Sequence, residues 1–392
     1  MDSLESRLPA RLGRLRRWVG PGLIVLGAFA AAWLVLMPLV FGPTPGWGYD
    51  FEAYLLAAQR LGRGDPLYLS WTLDGPFRPG PFGLYLYAPP LAVAILPMTA
   101  LSVPAATLLW FAARAALLLA ACALMPVRPR VRLLILVLAV LSEPVLTDLN
   151  LGNVSLVVMF LSVVGWRFLD RPAGSVALAV AMTVRPTFGL FLVWWLLRRR
   201  WRALAWALAA GALAIALTLP FVRVDVYLDY VRLVRNLADV TGVPNNMDLG
   251  STAARLGLGG ALSTLALLGG YAIAIAAVIF SLRRDREVSF MVTLGATLLL
   301  SPLLWDHYLV NALLPAAFLI ERGRRWGLAL GVLVLLWVPA PGVPLLAVAA
   351  TLAPLLARPR PVPTYAATPR DTPSEDAPAL DPAASNRTVA PA

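Results

Sequence analysis

Lysine is absent from this sequence, cysteine and histidine occur once each, and only 14% of the 392 residues are charged. Each scarcity excludes something. A single cysteine, Cys122, permits no disulfide within the chain, and with one histidine and no thiol cluster a metal site is disfavoured. No Gly-rich nucleotide-binding loop, no paired-aspartate motif of a soluble sugar-nucleotide enzyme and no Cys/His cluster occurs, so neither metal nor cofactor is expected. The low charge argues against an ordinary soluble domain, which is about half apolar and about a quarter charged. The missing lysine, beside abundant Ala, Pro and Gly, fits a GC-rich coding bias and carries no information about partners.

What the chain has instead is apolar length: 59% of its residues are hydrophobic and its mean hydropathy is +0.75. A hydrocarbon core of about 30 Å takes roughly 20 apolar residues per helix, and runs of that order recur along the sequence. An all-α, polytopic transmembrane bundle is therefore expected. The net charge of +12 resides in short arginine clusters between apolar runs, which reads as topology anchoring rather than a nucleic-acid-binding face.

Arg7, Arg11, Arg14, Arg16 and Arg17 make residues 1–19 a basic cytoplasmic N-terminus. The apolar run 20–41 that follows is longer than a signal-peptide core of about 7–15 residues, so it reads as an uncleaved first span. Positive-inside logic then puts the polar, aromatic segment at about 42–87 outside, with YDFEAYLLAAQRL (49–61) as an amphipathic helix along the interface. Further runs lie at about 86–102, 104–125, 131–147, 153–169, 174–197 and 202–221. A second outer loop covers about 222–258 and contains VDVYLDYVRLVRNLADV at helical spacing, and five more runs end at 357. Counting one crossing per run gives about twelve spans in a membrane domain over 20–357. That scheme places Arg198–Arg202, Arg283–Arg286 and Arg322–Arg325 inside but leaves Arg128, Arg130, Arg132, Arg167 and Arg171 outside. Residues 359–392, rich in Pro, Ala, Thr, Ser and Asp, read as a disordered cytoplasmic tail.

The chemistry is expected in the polar breaks. Asp50 opens the amphipathic helix where the first span leaves the membrane; it is either an N-cap or a general base whose carboxylate is raised toward neutrality by partial desolvation. His307, beside Asp306 at a junction of two runs, is either an interfacial boundary residue or a group that binds phosphate or holds an acid in place. Arg185 lies inside the run 174–197, where an ionisable group is costly and an anionic phosphate is its natural partner, unless the side chain snorkels to the interface. EPVLTDLNLGNVS, with Glu143, Asp148, Asn150 and Asn153, is either a capped turn or a cavity lining, and Asn245, Asn246, Asp248 and Ser251 form a turn that also faces outward. Tyr87, in YLYAPPLAVAILP, belongs to an aromatic belt. Asp306, Tyr87, Asn245 and Asn246 join Arg185 as candidates for holding an anionic phosphate or another polar ligand.

In their order, six segments resemble glycosyltransferase family 87, polyprenyl-phosphate-mannose-dependent membrane transferases of the GT-C class. They are YDFEAYLLAAQRLGRGDPLY (49–68), YLYAPPLAVAILP (85–97), LGNVSLVVMFL (151–161), VRPTFGLFLVWWLLRRRWRAL (184–204), NNMDLGS (245–251) and LSPLLWDHYLVNALLP (300–315). The resemblance implies a GT-C-like bundle in the cell membrane that transfers a sugar, mannose by analogy, from a polyprenyl-phosphate donor to a hydroxyl of a lipid or glycan acceptor. Transfer is implied on the outer side, with inversion. It implies Asp50 as catalytic base and His307 near the donor phosphate or the base. Where the family often shows Gly-Gln-x-Asn this chain has Gly152, Asn153, Val154 and Ser155, which weakens a carried-over role there; Arg185–Pro186 replaces Lys-Pro and keeps the cation. A transporter or lipid-linked-sugar flippase is the competing class, for which an internal repeat is expected and none is evident. A non-catalytic scaffold leaves Asp50, Arg185 and His307 unexplained as a set.

Overall fold

The structure, a computed structural model, describes residues 46–74, 84–237, 245–335 and 341–357, with 21–22, 24–29, 32–34 and 36–40 of the first apolar run. The basic N-terminus, the tail 359–392 and parts of both outer loops lie outside the described residues.

From residue 49 the described helices are α1 (Tyr49–Arg63), α2 (Ser70–Leu73), α3 (Pro89–Ile95), α4 (Val103–Leu124), α5 (Pro129–Leu141), α6 (Glu143–Leu151) and α7 (Ser155–Arg167). They continue with α8 (Pro172–Val184), α9 (Leu190–Leu197), α10 (Trp201–Thr218), α11 (Asp225–Asn236), α12 (Leu249–Arg255) and α13 (Gly260–Ser281). The last are α14 (Arg286–Leu299), α15 (Leu313–Glu321), α16 (Arg325–Leu335) and α17 (Gly342–Leu352). Short 3₁₀ turns cover Leu96–Ala100, Pro186–Gly189, Asp306–Ala312 and Ala353–Leu356.

Proline begins helices here more than it breaks them. Pro89, Pro104, Pro129, Pro144 and Pro172 each stand in the first two positions of a helix, where the missing N–H has no intrahelical partner to lose. Among the described residues, α4, α10 and α13 are each long and apolar enough to cross a bilayer, and α5 with α6 passes the same test as a pair bent by 61°. On α10 and α13 most of the apolar surface faces outward, including Leu208, Leu213, Leu265 and Leu268. By contrast α14 is buried from Val288 to Leu299 and forms the centre of the bundle. Its Ser289 accepts from Trp194 Nε1 at 2.7 Å, and Thr293 and Thr297 bond back to their own helix, so no polar group of this buried helix is left bare.

The basic connectors meet at one end. Arg128 pairs with Glu321 at 3.1 Å, Arg167 donates to the Leu124 carbonyl at 3.1 Å, and Asp170 accepts from both Arg200 and Arg286. Arg198 reaches the Leu282 carbonyl at 3.3 Å, Arg284 the Leu355 carbonyl at 2.6 Å, and Arg322 pairs with Glu287 at 2.6 Å. Arg128, Arg130, Arg132, Arg167 and Arg171 thus share an end with the later clusters, against the expectation of one crossing per run. Two features of the chain explain the difference. The run 86–102 is a seven-residue helix and a 3₁₀ turn packed on α1, and the run 174–197 is two helices, α8 and α9, broken at Arg185–Pro186. The break at Arg185–Pro186 returns the chain, so that both ends of the run 174–197 lie together, with Asp170 accepting from Arg200.

Candidate active site

At the opposite end, the start of α1 is fitted against the break between α6 and α7. Gly48 donates to the Asn150 carbonyl at 2.8 Å, Trp110 Nε1 donates to the Gly152 carbonyl at 2.8 Å, and Phe51 stacks on Trp110. Gly152 ends α6 in the left-handed region at φ 82°. A Cβ there would lie 2.6 Å from Phe51 Cβ and 3.1 Å from the Phe51 backbone nitrogen, so the two segments can approach this closely only through glycine.

That approach brings Asn153 to Asp50. Asn153 Nδ2 donates to Asp50 Oδ2 at 2.7 Å and lies 3.3 Å from the Tyr87 hydroxyl, which itself receives a bond from Tyr54 at 3.1 Å. Ser155 Oγ donates to Asn153 Oδ1 at 3.1 Å and accepts from Arg185 Nη2 at 3.0 Å. Asp50, Asn153, Ser155 and Arg185 therefore form one continuous hydrogen-bonded path. Asp50 is not a cap: the N-cap of α1 is Gly48, no side chain caps the helix, and the carboxylate turns inward to Asn153 instead. Burial pushes the Asp50 carboxyl above its ordinary value, an effect offset in part by its electrostatic interaction with His307, by the Asn153 bond and by Arg114. Burial also holds the Tyr54 and Tyr87 hydroxyls far above their usual range, so both remain protonated donors.

His307 enters from the 3₁₀ turn Asp306–Ala312 and is 3% exposed. Its Nδ1 lies 3.1 Å from Asp306 Oδ1, its ring packs between Trp305 and Tyr308, and its Nε2 is buried without a partner among the described residues. Burial would raise the Asp306 carboxyl, but the bonds and charge of His307, with a bond to Glu143, outweigh it and hold the group below the ordinary carboxylate range. Glu143 stands at the bend between α5 and α6, where Thr147 donates to it at 2.7 Å. The approach to His307 is pinned by Asn246, whose Oδ1 accepts from the Leu304 nitrogen at 2.9 Å and whose Nδ2 donates to the Pro302 carbonyl at 2.9 Å.

Asn245 and Asn246, grouped as substrate-binding candidates from sequence, thus separate. Asn246 is wholly buried and spends its amide on backbone, while Asn245 is exposed in the left-handed region at φ 64°. The following turn is ordinary capping chemistry, with Asp248 accepting from the Ser251 nitrogen at 2.8 Å to start α12.

Arg185 is not in the middle of a span, as its run implies, but at the break between α8 and the turn Pro186–Gly189. It is 5% exposed, its Cζ lies 3.5 Å from the centre of the Tyr308 ring, and its Nε and Nη1 have no partner among the described residues. Buried guanidinium hydrogens left unpaired are costly, and among the described residues the direct contacts of this charge are a neutral hydroxyl and a ring face, with the Asp148 carboxylate acting on it from further off. Beside it opens a cavity of about 450 Å³, mostly apolar, lined among others by Leu86, Thr187, Leu190, Tyr230 and Leu303. Thr187 Oγ1, on the same wall, is also buried and unpartnered.

Beneath the path lies a group that sequence reasoning missed. Arg114, 1% exposed in the middle of α4, donates to the Asp148 carbonyl at 2.6 Å, to Asp148 Oδ1 at 3.3 Å and to the Leu149 carbonyl at 3.1 Å. Asp148 Oδ2 accepts from the Ser155 nitrogen at 2.9 Å. This buried ion pair ties off the end of α6 and the start of α7, and so sets where Asn153 and Ser155 stand. Its signal was present: a lone arginine eleven residues into an apolar run has the same standing as Arg185.

Glycosyltransferase family 87 matches residues 85–302 of the chain. A polyprenol-phosphate-mannose-dependent alpha-(1-2)-phosphatidylinositol mannoside mannosyltransferase of Mycobacterium tuberculosis is 28% identical over 375 residues, covering 86% of this chain and 85% of that protein. No solved structure matches.

Proposed function

Since this chain belongs to glycosyltransferase family 87 and is a membrane glycosyltransferase, we propose that it transfers mannose from a polyprenyl-phosphate carrier to a hydroxyl of a lipid or glycan acceptor on the non-cytoplasmic side. The observation that carries this reading is the path Asp50–Asn153–Ser155–Arg185 beside an apolar cavity. It supports a base for the acceptor and a cation for the phosphate on one rigid network, with apolar room for a lipid carrier next to the cation. A transporter needs no such pairing.

In the reaction the acceptor oxygen attacks the anomeric carbon while the bond from that carbon to the phosphate oxygen breaks. The bonding pair leaves with the polyprenyl phosphate, and the acceptor proton passes to Asp50. One base and direct displacement give inversion. Asn153 holds the Asp50 carboxylate in place, and the Tyr87 hydroxyl accepts from the same amide. Arg185, through its unpaired Nε and Nη1, takes phosphate oxygens, a planar fork suited to that geometry. His307, fixed by Asp306 and with Nε2 unpartnered among the described residues, is assigned to the donor phosphate or the base. Asn246 serves through the segment 302–304 that it pins rather than by touching substrate, and Asn245, being exposed, is the candidate for acceptor contact. The arginine-bearing connectors gathered at the other end, which positive-inside logic assigns to the cytoplasm, support an outer placement of the site.

The test is to incubate the purified protein in proteoliposomes with polyprenyl-phosphate-[14C]mannose and a panel of lipid and glycan hydroxyl acceptors. The expected result is a labelled covalent product that forms only with an acceptor present. Movement of the labelled lipid across the bilayer with no covalent product would replace this reading with a flippase.

A further inference from the structure

The basic end holds a pocket of about 420 Å³ between the starts of α8 and α10, lined by Asp170, Arg171, Arg199, Arg200, Arg202, Trp201 and Trp206. Its charge is not balanced. Asp170 is the sole acid among its lining residues and is already shared by Arg200 and by Arg286 from the next connector. Arg171, Arg199 and Arg202 have no carboxylate partner among the described residues. Guanidinium groups gathered this way repel one another unless an anion sits among them, and their planar forks match phosphate oxygens. The pocket is also not purely aqueous. Trp201 and Trp206 are 59% and 48% exposed, as expected of rings at the headgroup level, and α10 runs on from them with Leu208, Leu213 and Leu217 bare.

From these features we infer that the pocket binds the phosphodiester headgroup of one anionic phospholipid, whose acyl chains lie along α10. An anion without a tail would satisfy the arginines but not the exposed tryptophans and leucines that continue from them. The pocket is distinct from the site at Arg185, from which the turn Pro186–Gly189 and the whole of α9 separate it. The inference rests only on the chain being a membrane protein and is independent of the proposed transfer reaction.

Full-length protein reconstituted in nanodiscs of equal phosphatidylcholine and phosphatidylglycerol, then released into native mass spectrometry, reports which lipid it retains. The wild type should keep one phosphatidylglycerol in preference to phosphatidylcholine, undisturbed by millimolar inorganic phosphate. With roughly fivefold expected per guanidinium, Arg171→Gln/Arg199→Gln/Arg202→Gln should lower that preference at least about tenfold, while Arg130→Gln/Arg283→Gln/Arg325→Gln, changing three exposed arginines on other connectors, should leave it intact. Because the triple variant could misfold, Arg202→Gln alone and the charge-keeping triple Arg→Lys are measured beside it; the first should weaken retention and the second preserve most of it. No preference in the wild type, equal losses in both glutamine triples, or displacement by inorganic phosphate would overturn the assignment.

Discussion

At the scale of single residues the site is organised around charges that burial makes expensive. Arg185 illustrates this: among the described residues its one hydrogen bond goes to Ser155, and two of its nitrogens are buried and unpaired. If those nitrogens hold the donor phosphate, Arg185→Gln should raise the donor KM about ten- to a hundredfold, the worth of a lost charge-assisted bond, with Arg185→Lys in between. Initial rates at varied donor concentration measure this, and an unchanged KM would remove Arg185 from the donor site. Asp50 makes a pH prediction whose sign is fixed by its surroundings. A base works only when ionised, and burial raises this carboxyl above the ordinary value near 4. Activity should therefore fall, as pH is lowered, at a higher pH than for an unperturbed aspartate. The interaction with His307 opposes that rise, so His307→Gln should move the acidic limb of kcat/KM further upward. A limb that stays put would separate the two residues electrostatically.

Among elements, the break between α6 and α7 decides where the base points. Gly152→Ala places a methyl against Phe51 and forces a left-handed backbone on alanine, a cost of about 1–3 kcal/mol. It should lower the unfolding temperature in detergent and, because α1 is pushed from Asn153, lower kcat as well. The ion pair below is a sharper case. Arg114→Met leaves Asp148 buried without its charge partner and should cost about 3–5 kcal/mol, whereas Arg114→Met/Asp148→Asn should recover part of that loss. Equal stability of the single and double variants, read by thermal unfolding, would show that the pair is not what ties the break together. These elements also mark what the sequence could reveal. The amphipathic helix at 49–61 and the helix within 222–258 were legible because their apolar spacing is local. Asp50, His307 and Arg185 stood out as polar groups in apolar surroundings. The bond between Asp50 and Asn153 spans 103 residues, so no local pattern carries it. The departure from the family pattern at Gly152–Ser155 made that break look dispensable, yet Asn153 supplies the partner of Asp50.

For the whole molecule, the arginines sort the two ends. Reading every apolar run as one crossing sends Arg128–Arg132 and Arg167–Arg171 to the end opposite the later clusters, whereas Arg128 meets Glu321 and Asp170 meets both Arg200 and Arg286. Single cysteines introduced at 130, 171, 283 and 325 in a Cys122→Ala background should all be labelled by an impermeant maleimide from one side of sealed vesicles, and one at 245 from the other. Labelling of 130 and 171 from the side of 245 would restore the simpler scheme. All-helical architecture and membrane character, by contrast, follow from composition alone.

The central claim is that Asp50 is the base of a lipid-phosphate-sugar transferase, and it is tested most directly by Asp50→Asn. In membranes supplied with polyprenyl-phosphate-[14C]mannose and an accepted hydroxyl, the variant should express normally and bind donor with about the wild-type affinity. Its transfer rate should fall by about 10²–10⁴-fold, the usual worth of a general base. Transfer at the wild-type rate by the Asn variant would contradict the account.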